Sequence, residues 1–294
     1  MLTVAFLGLG AIGRPIAKRI AAAGFPLAVW NRTSVRAAAF ALEHKARQAK
    51  TPADAVKDAD VVITCLSTSA DVAQVVDGGV LAAMKEGSTL LDCTSGDPAT
   101  SQRTAETLAE KKIGFVDAPV SGGVRGAEEG TLTVMCGGDA KDLDRVRPVI
   151  EAFGKKIVHC GPVGAGDAVK AMNQALLALT IWGTGEALVA LAKSGVSAHV
   201  ALEVINASSG RSNASMNLFP ERVLTRAFPR TFRLALLDKD ARIAAQIARD
   251  ERVPAPLTQL VADLCTLARK ELGEEADHVE AVKMIERWAG AEVR

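Results

Sequence analysis

Several residue types are scarce in this chain, and each scarcity excludes a class of protein. Tyrosine is absent and aromatic residues make up only 4% of the 294 residues, so a site that stacks bases or sugars on aromatic rings is not expected. Lys and Arg total 35 while Asp and Glu total 34, which gives a net charge of +1. A chain so close to neutral has no bulk attraction to nucleic acid or to an anionic membrane. We therefore expect neither of them as a partner.

Cysteine and histidine are too few and too far apart for a disulfide or metal framework. The five cysteines are odd in number, form no Cys-x-x-Cys pair and lie mostly in apolar runs. The four histidines have no second ligand at metal-binding spacing. These patterns favour reduced thiols in a cytoplasmic protein and predict no metal site.

Targeting and membrane-spanning signals are also missing. Residues 1–9 are apolar, but no basic region precedes them and glycine interrupts them, so we interpret them as a first β-strand rather than a signal peptide. No apolar stretch is expected to reach the length of a membrane span. Hydrophobic residues at 49% and charged residues at 23% are typical of a globular protein, and the length allows one large or two ordinary domains.

Short apolar runs alternate with helical patterns in the first half of the chain. Several runs are continuously apolar, as in strands that are buried on both faces of a sheet. The expected strands are residues 2–7, 27–30, 61–66, 89–92, 114–118, 132–136 and 157–160, and the expected helices include 12–23, 34–43, 99–111 and 141–153. Thr51 followed by Pro52 is typical of a helix start. This alternation predicts an α/β domain with a doubly wound, mostly parallel sheet over residues 1–163.

Strand patterns nearly vanish after the glycine-rich turn at residues 161–164. Residues 167–193 predict one long helix that is apolar on most sides, and such a helix should be buried between domains or subunits. Further helices are expected at residues 198–206, 234–249, 257–272 and 279–287. The sequence therefore predicts an all-α domain over residues 164–294.

The first strand runs directly into a glycine motif, Gly8–Leu9–Gly10–Ala11–Ile12–Gly13, and a helical pattern follows. In this strand–turn–helix context Gly8 permits a tight turn, Gly10 lets the backbone approach a pyrophosphate, and Gly13 lets helix and strand pack closely. The helix N-terminus offers N–H groups and the positive end of its dipole to phosphates. We interpret the motif as a dinucleotide site rather than a purely structural turn, with Gly8, Gly10, Ala11, Ile12 and Gly13 as cofactor-binding residues.

The segment after the second strand bears on the choice of cofactor. A site that prefers NAD usually places an acid here to bind the ribose hydroxyls, but the chain has Asn31–Arg32–Thr33. Arg32 could pair with a 2′-phosphate, Arg36 lies one helical turn further on, and Thr33 adds a hydroxyl. These residues favour NADP over NAD. The alternative is a pair of solvated arginines on a loop.

Four motifs occur in an order that spans the whole chain. They are the glycine motif, residues 117–132 (Asp-Ala-Pro-Val-Ser-Gly-Gly, then Gly126–Ala127 and Gly130–Thr131–Leu132), residues 164–173 around Lys170, and residues 237–240. With these motifs the sequence resembles the β-hydroxyacid dehydrogenase family, which includes 3-hydroxyisobutyrate dehydrogenases and the tartronate and glyoxylate/succinic semialdehyde reductases. The resemblance implies an N-terminal Rossmann-type domain, related to that of 6-phosphogluconate dehydrogenase, and an all-helical C-terminal domain.

The resemblance also implies roles for individual residues. The catalytic lysine of the family falls on Lys170, its substrate-orienting asparagine on Asn173, and its substrate-carboxylate contacts on Ser121, Gly122 and Gly123. Positions that line the cofactor in the family fall on Leu66, Ser67, Ser95 and Lys239.

The same residues suit this chemistry when they are considered without the resemblance. Lys170 lies in an apolar face of the predicted long helix, and Asn173, three residues on, projects from the same side. Burial favours the neutral form of a lysine, which suits proton transfer, although a lysine that extends to solvent is the alternative. Two glycines after Ser121 could aim several N–H groups at one carboxylate, although an ordinary glycine-rich turn would look the same.

These patterns together predict an NADP(H)-dependent oxidoreductase that moves a hydride between the nicotinamide and a small β-hydroxy acid or its semialdehyde. Lys170 is the expected general acid/base, and a homo-oligomer, dimer or tetramer, is the expected assembly. Two features point to different branches of the family, because residues 31–33 resemble the semialdehyde reductases while residues 208–212 resemble the hydroxyisobutyrate enzymes. An imine or keto reductase on the same scaffold and a non-catalytic dinucleotide sensor are the alternatives.

Overall fold

The computed structural model describes all residues from 1 to 294. The chain divides into two compact units, Met1–Lys170 and Ala171–Arg294. The first unit holds all nine strands of one sheet, and the second unit is helical.

The sheet of the first unit is mostly parallel, as the sequence predicts. Its strands are β1 (Val4–Leu7), β2 (Leu27–Trp30), β3 (Arg47–Gln48), β4 (Val61–Thr64), β5 (Thr89–Asp92), β6 (Gly114–Asp117), β7 (Val120–Ser121), β8 (Leu132–Gly138) and β9 (Gly154–Gly161). They run in the order β3-β2-β1-β4-β5-β6-β8-β7, and β9 also pairs with β8. Pairing is parallel from β3 to β6 and between β8 and β9, whereas β8 is antiparallel to β6 and β7.

Burial on both faces explains why the continuously apolar runs became strands. All four residues are buried in each of β1, β4 and β5. The helices of this unit are α1 (Gly13–Ala22), α2 (Ser34–His44), α3 (Pro52–Val56), α4 (Ser69–Val75), α5 (Leu81–Ala83), α6 (Pro98–Ala109), α7 (Gly123–Glu129) and α8 (Ala140–Ile150). The expected start at Thr51 is confirmed, because its side chain accepts the N–H of Asp54 at 3.0 Å and Pro52 opens α3.

Three helices of this unit, α4, α5 and α7, were not predicted, for the same reason. Helix α4 continues through the π-helical turn Val76–Val80 into α5, and two glycines interrupt its pattern, one of them Gly79 with φ +116°. Helix α7 begins at a glycine and contains a second one, so its pattern is typical of a turn. Glycine is a poor helix former, and packing in the folded chain outweighs its intrinsic preference at both places.

The second unit has a helical core. The helix that enters it, α9 (Ala165–Lys193), also includes the last residues of the first unit. The others are α10 (Ala198–Ala207), the π-helix Ala214–Val223, α11 (Leu234–Asp250), α12 (Pro256–Leu272), the 3₁₀ turn His278–Ala281 and α13 (Val282–Ala289). The π-helix was not expected, because Pro220 lies inside it. Buried side chains such as Trp182, Phe219 and Leu237 form the core.

Helix α9 corrects one expectation about the chain. One 18-residue window of it has a mean hydropathy of 1.7, so by length and composition the chain does contain a helix that could cross a membrane. Within the single chain only 39% of this window is buried, and Leu176 is 63% exposed, so burial of α9 between domains or subunits stays a prediction. Length and composition do not distinguish a membrane span from a helix covered by protein.

Candidate active site

Four neighbouring parallel strands of the first unit end at the same edge of the sheet. Leu7 of β1 pairs with Thr64 of β4, Thr64 with Asp92 of β5, and Asp92 with Asp117 of β6. In open α/β sheets ligands bind outside this carboxyl edge, where the strand order reverses. The order reverses between β1 and β4 here. The candidate residues that follow β1, β4, β5 and β6 therefore gather at one edge.

The glycine motif after β1 adopts the tight turn that the sequence predicts. Gly8 has φ +110°, and a Cβ added to it would lie 2.3 Å from the carbonyl oxygen of Cys65. A Cβ on Gly13, the first residue of α1, would lie 2.0 Å from the carbonyl oxygen of Gly8. A Cβ on Gly10 would meet no atom within 4 Å. Gly8 and Gly13 are therefore required by packing, whereas Gly10 is not.

The two residues between Gly10 and Gly13 complete this turn. Ala11 is exposed, and Ile12 is half-buried and precedes the first residue of α1. Neither residue adds a charged or polar side chain, so their backbone N–H groups are what they can offer to a phosphate.

Asn31 connects this turn to the segment after β2. Its Oδ1 accepts the N–H of Leu9 at 2.9 Å, and its Nδ2 donates to the carbonyl of Thr33 at 3.1 Å. Arg32, Thr33 and Arg36 are exposed, and neither arginine forms an ion pair. Thr33 precedes α2, but its side chain accepts no capping hydrogen bond. Two cationic side chains and a hydroxyl thus lie beside the glycine turn.

Asp92 organises the turns that follow β4 and β5. Its Oδ1 accepts the hydroxyl of Thr64 at 2.8 Å and the N–H of Thr94 at 2.9 Å. Thr94 in turn accepts the N–H of Leu66 through its Oγ1 at 3.0 Å. Ser67 next to Leu66 is exposed and Ser95 is half-buried. The candidate cofactor residues on these two turns are therefore held in place by one buried carboxyl group.

The start of α9 is tied to the same edge by two further buried acids. The Asp117 carboxylate accepts the N–H of Gly164 at 2.7 Å and the N–H of Asp167 at 3.0 Å. The side chain of Asp167 accepts the N–H of Gly96 at 3.0 Å and the hydroxyl of Ser101 at 2.6 Å. Three residues further along α9 lies Lys170, which is buried with 7% of its surface exposed.

Burial shifts the protonation of both acids. Removal from water raises the pKa of Asp117 to about 6, although its two backbone hydrogen bonds act in the opposite direction. Burial, together with the nearby carboxyls of Asp117 and Asp92, raises the pKa of Asp167 well above its ordinary value. Asp117 is therefore mostly ionised at neutral pH.

The shift of Asp117 predicts a pH-dependent stability. Its pKa is higher in the folded state than the value of 3.8 expected when it is exposed, so it stabilises the fold below about pH 4 and loses this contribution as the pH rises through about 6. Relative to Asp117→Asn, the wild-type free energy of unfolding should therefore fall by about 2–3 kcal/mol between about pH 4 and pH 7. Urea unfolding of both proteins across this range measures the difference. A difference that stays constant with pH would contradict the shift.

The Ser121–Gly123 segment leads from a short strand into a helix. Ser121 ends β7 and Gly123 begins α7. Gly122 and Gly123 have φ +133° and +65°, respectively, conformations that favour glycine. Arg125 lies on the helix surface, and its side chain is 88% exposed beside Glu129.

Two candidate residues lie in the second unit. Asn173 is exposed, and its Nδ2 donates to Oε1 of Gln174 at 3.2 Å. Lys239 on α11 is largely buried and pairs with Asp240 at 3.1 Å.

The sequence motifs predict no role for Asp92, Asp117 or Asp167. A signal was available, because Asp92 and Asp117 each close an apolar strand at the sheet edge where ligands bind. A buried acid is unfavourable unless it is hydrogen-bonded, so an acid at the end of a buried strand indicates a built network.

The remaining reactive side chains form no second centre. All five cysteines are free, and burial raises the pKa of Cys65, Cys136 and Cys265 to about 12. Such thiols stay protonated and unreactive at neutral pH. The structure contains no group of three or more His, Cys, Asp or Glu side chains placed to hold a metal ion.

Comparison with known families matches both halves of the chain. The NAD binding domain of 6-phosphogluconate dehydrogenase matches residues 3–161. The NAD-binding domain of NADP-dependent 3-hydroxyisobutyrate dehydrogenase matches residues 164–285.

Individual relatives match along nearly their whole length. The 2-(hydroxymethyl)glutarate dehydrogenase of Eubacterium barkeri is 34% identical over 295 residues, covering 99% of this chain and 97% of the relative. The NAD-dependent L-serine dehydrogenase of Pseudomonas aeruginosa is 34% identical over 300 residues, covering 99% of this chain and 100% of the relative. The solved structure of Mycobacterium tuberculosis 3-hydroxyisobutyrate dehydrogenase with L-serine has a TM-score of 0.90 at 31% identity, covering 97% of this chain and 99% of that chain.

Proposed function

Because the chain belongs to the β-hydroxyacid dehydrogenase family and is an NAD(P)-dependent dehydrogenase acting on CH–OH groups, we propose that it interconverts a small β-hydroxy acid and its semialdehyde with NADP(H). The observation that carries this proposal lies within the first unit. The glycine turn and the start of the helix bearing the buried Lys170 are fixed to the same carboxyl edge of one parallel sheet. This shared edge supports a cofactor site and a proton-transfer group that are held by the same sheet.

The residues of the edge fit a nicotinamide dinucleotide. The N–H groups of Ala11, Ile12 and Gly13 are the proposed donors to a pyrophosphate, because Arg14 already donates to the carbonyl of Gly10 and Pro15 has no N–H. The open surface over Gly10 allows a pyrophosphate to approach the backbone. Asn31, Leu66, Ser67 and Ser95 lie on the turns beside them. When bound, the nicotinamide supplies or accepts the hydride. Lys239 is proposed as a further cofactor contact from the second unit.

Lys170 is the proposed general acid/base. In reduction its ammonium group donates a proton to the carbonyl oxygen of the substrate, and in oxidation the neutral amine accepts the proton of the hydroxyl. Lys170 lies on the apolar helix α9 and is buried, so its side chain is shielded from bulk water. Asn173, three residues further along the helix, is proposed to orient the substrate.

The substrate class follows from the chemistry shared by the relatives. The hydroxymethylglutarate, L-serine and 3-hydroxyisobutyrate of their names each carry a primary alcohol on the carbon next to the one bearing the carboxylate. A small carboxylate suits Ser121, Gly122 and Gly123, where a hydroxyl and two glycine N–H groups precede a helix. We therefore propose β-hydroxy acids as substrates.

A panel assay tests the proposed reaction. The purified enzyme is mixed with NADPH or NADP⁺ and with matched sets of semialdehydes, β-hydroxy acids and the corresponding alcohols that lack a carboxylate, and NADPH absorbance is followed. Turnover of at least one β-hydroxy acid pair, and none of the carboxylate-free analogues, is expected. Binding of NADPH without turnover of any carbonyl would contradict the enzymatic proposal and favour a sensor.

The NADP preference is proposed from Arg32, supported by Thr33 and Arg36. A guanidinium–phosphate pair contributes about 1.5–3 kcal/mol, so Arg32→Ala should lower kcat/KM with NADPH by about 10- to 100-fold and change kcat/KM with NADH by less than about threefold. Arg103→Ala is the matched control, because Arg103 is another exposed arginine of this unit and bonds only to Thr100. Equal losses with both cofactors in Arg32→Ala would contradict a 2′-phosphate contact.

The proposal also covers the domains, the location and the oligomeric state of the enzyme. We propose that residues 1–163 form the NADP-binding domain and residues 164–294 the substrate and oligomerisation domain of a cytoplasmic enzyme. In a single copy of the chain, large apolar side chains on α9 and α12 are more than half exposed, among them Leu176, Leu257 and Leu260. This exposure supports a homo-oligomer, a dimer or a tetramer, in which a second copy covers them.

A further inference from the structure

The first turn of α9 is bound by a side chain from elsewhere in the first unit. The chain leaves β9 and enters α9 through Gly161 and Gly164, which have φ +139° and +90°. Gly166 is packed so tightly that a Cβ there would lie 2.2 Å from the carbonyl of Met135. The backbone that leads to Lys170 is therefore glycine-rich yet closely seated, so its position is set by the groups that bind it.

Asp117 caps this helix from a neighbouring strand. Its two carboxylate oxygens accept the N–H groups of Gly164 and Asp167 at 2.7 and 3.0 Å. An anion at this position also interacts favourably with the positive end of the helix dipole. Both oxygens are engaged by N–H donors, so an amide side chain, which has only one acceptor oxygen, could satisfy one of the two bonds.

Asp167 fixes the same turn from the opposite direction. It projects from α9 and bonds to Gly96 after β5 and to Ser101 on α6. The titratable groups that face it are Asp117 and Asp92, and burial together with these two acids raises its pKa. The hydroxyl of Ser101 can accept a hydrogen bond as well as donate one, so an asparagine at position 167 can accept the N–H of Gly96 and donate its own N–H to Ser101.

We propose that Asp117 and Asp167 are positioning residues that fix the rotation and height of the first turn of α9 and thereby place Lys170, three residues from Asp167, against the substrate. This inference rests on the proposed role of Lys170 as general acid/base. Neither acid touches the reacting atoms, so their loss acts on kcat through the placement of Lys170. A misplacement of about 1 Å is enough to reduce a rate by about 100-fold.

The test compares four variants with the wild-type enzyme in steady-state assays with NADPH. Asp167→Ala should lower kcat by about 10- to 100-fold and leave KM for NADPH within about twofold. Asp167→Asn should retain kcat within about threefold, whereas Asp117→Asn should lose at least about tenfold, because it satisfies only one helix N–H. Asp142→Asn is the matched control: Asp142 is another acid of this unit whose pKa is raised, by burial first, and it lies on α8 away from α9.

Two further variants are measured. One distinguishes a loss of folding from a loss of positioning, and the other tests the proposed role of Lys170 separately. Ser101→Ala removes only the hydroxyl partner of Asp167 and should lower kcat by about three- to tenfold while the melting temperature falls by no more than about a few degrees, so it replaces Asp167→Ala if that variant does not fold. Lys170→Ala is assayed in parallel. Retained kcat in Lys170→Ala overturns the role of the lysine. Loss in Lys170→Ala with wild-type kcat in Ser101→Ala and Asp117→Asn overturns the positioning role.

Discussion

Lys170→Ala is expected to lower kcat by about 10²- to 10⁴-fold while NADPH still binds with an affinity within about threefold of the wild type. Positioned proton transfer contributes a factor of this size, and alanine removes the only group proposed to perform it. The glycine turn that binds the pyrophosphate follows a different strand and does not depend on this side chain. Single-turnover rates and fluorescence titration with NADPH measure the two quantities separately.

Two further lysine variants sharpen this test. Lys170→Arg retains the positive charge, but a guanidinium does not release its proton near neutral pH, so kcat should fall nearly as far as in the alanine variant. Lys193→Ala, at the other end of the same helix, removes an exposed ammonium group that bonds to the carbonyl of Ala289. It should retain kcat. Full activity of Lys170→Arg would show that the charge matters and that proton transfer by this residue does not.

The second large effect concerns the glycine turn, where two substitutions of the same kind should have opposite consequences. A Cβ on Gly13 would lie 2.0 Å from the carbonyl oxygen of Gly8, so Gly13→Ala should destabilise the fold by about 1–3 kcal/mol or more. A Cβ on Gly10 meets no atom within 4 Å, so Gly10→Ala should leave the free energy of unfolding unchanged or raise it by up to about 1 kcal/mol.

Binding of the dinucleotide separates these variants. If the backbone at Gly10 approaches a pyrophosphate, its new methyl group occupies that space, and the Kd for NADPH should rise by about tenfold or more in a protein that is fully folded. Urea unfolding and fluorescence titration give both values for each variant. Wild-type affinity in Gly10→Ala would show that the dinucleotide does not lie over this turn.

Much of the first unit could be predicted because its signals are local. A continuously apolar run of four to six residues is typical of a strand buried on both faces, and the bounds of β2 and β5 agree with the sequence residue for residue. The conformation of Gly8 and the packing of Gly13 follow from the spacing of three glycines. The helices that were missed contain or adjoin glycine or proline, whose poor helix propensity is outweighed by packing in the folded chain.

The acid network could not be predicted because its hydrogen bonds join distant parts of the chain. The bond from Gly96 to Asp167 spans 71 residues, and the bond from Asp167 to Asp117 spans 50. No periodicity in the sequence indicates which acid will meet which N–H group. What covers the apolar surface of α9 could not be predicted for a related reason. Apolar composition predicts that a helix will be covered, but it does not say whether the same chain or a second copy covers it.

The central claim is that Lys170 transfers the proton of the substrate hydroxyl. A crystal structure of the enzyme with NADP⁺ and a β-hydroxy acid that it turns over tests this claim most directly. If Lys170 transfers this proton, its Nζ should lie within about 3 Å of the hydroxyl oxygen, with the substrate carboxylate at Ser121–Gly123. An Nζ that points away, with another side chain hydrogen-bonded to the substrate hydroxyl, would show that Lys170 does not transfer the proton.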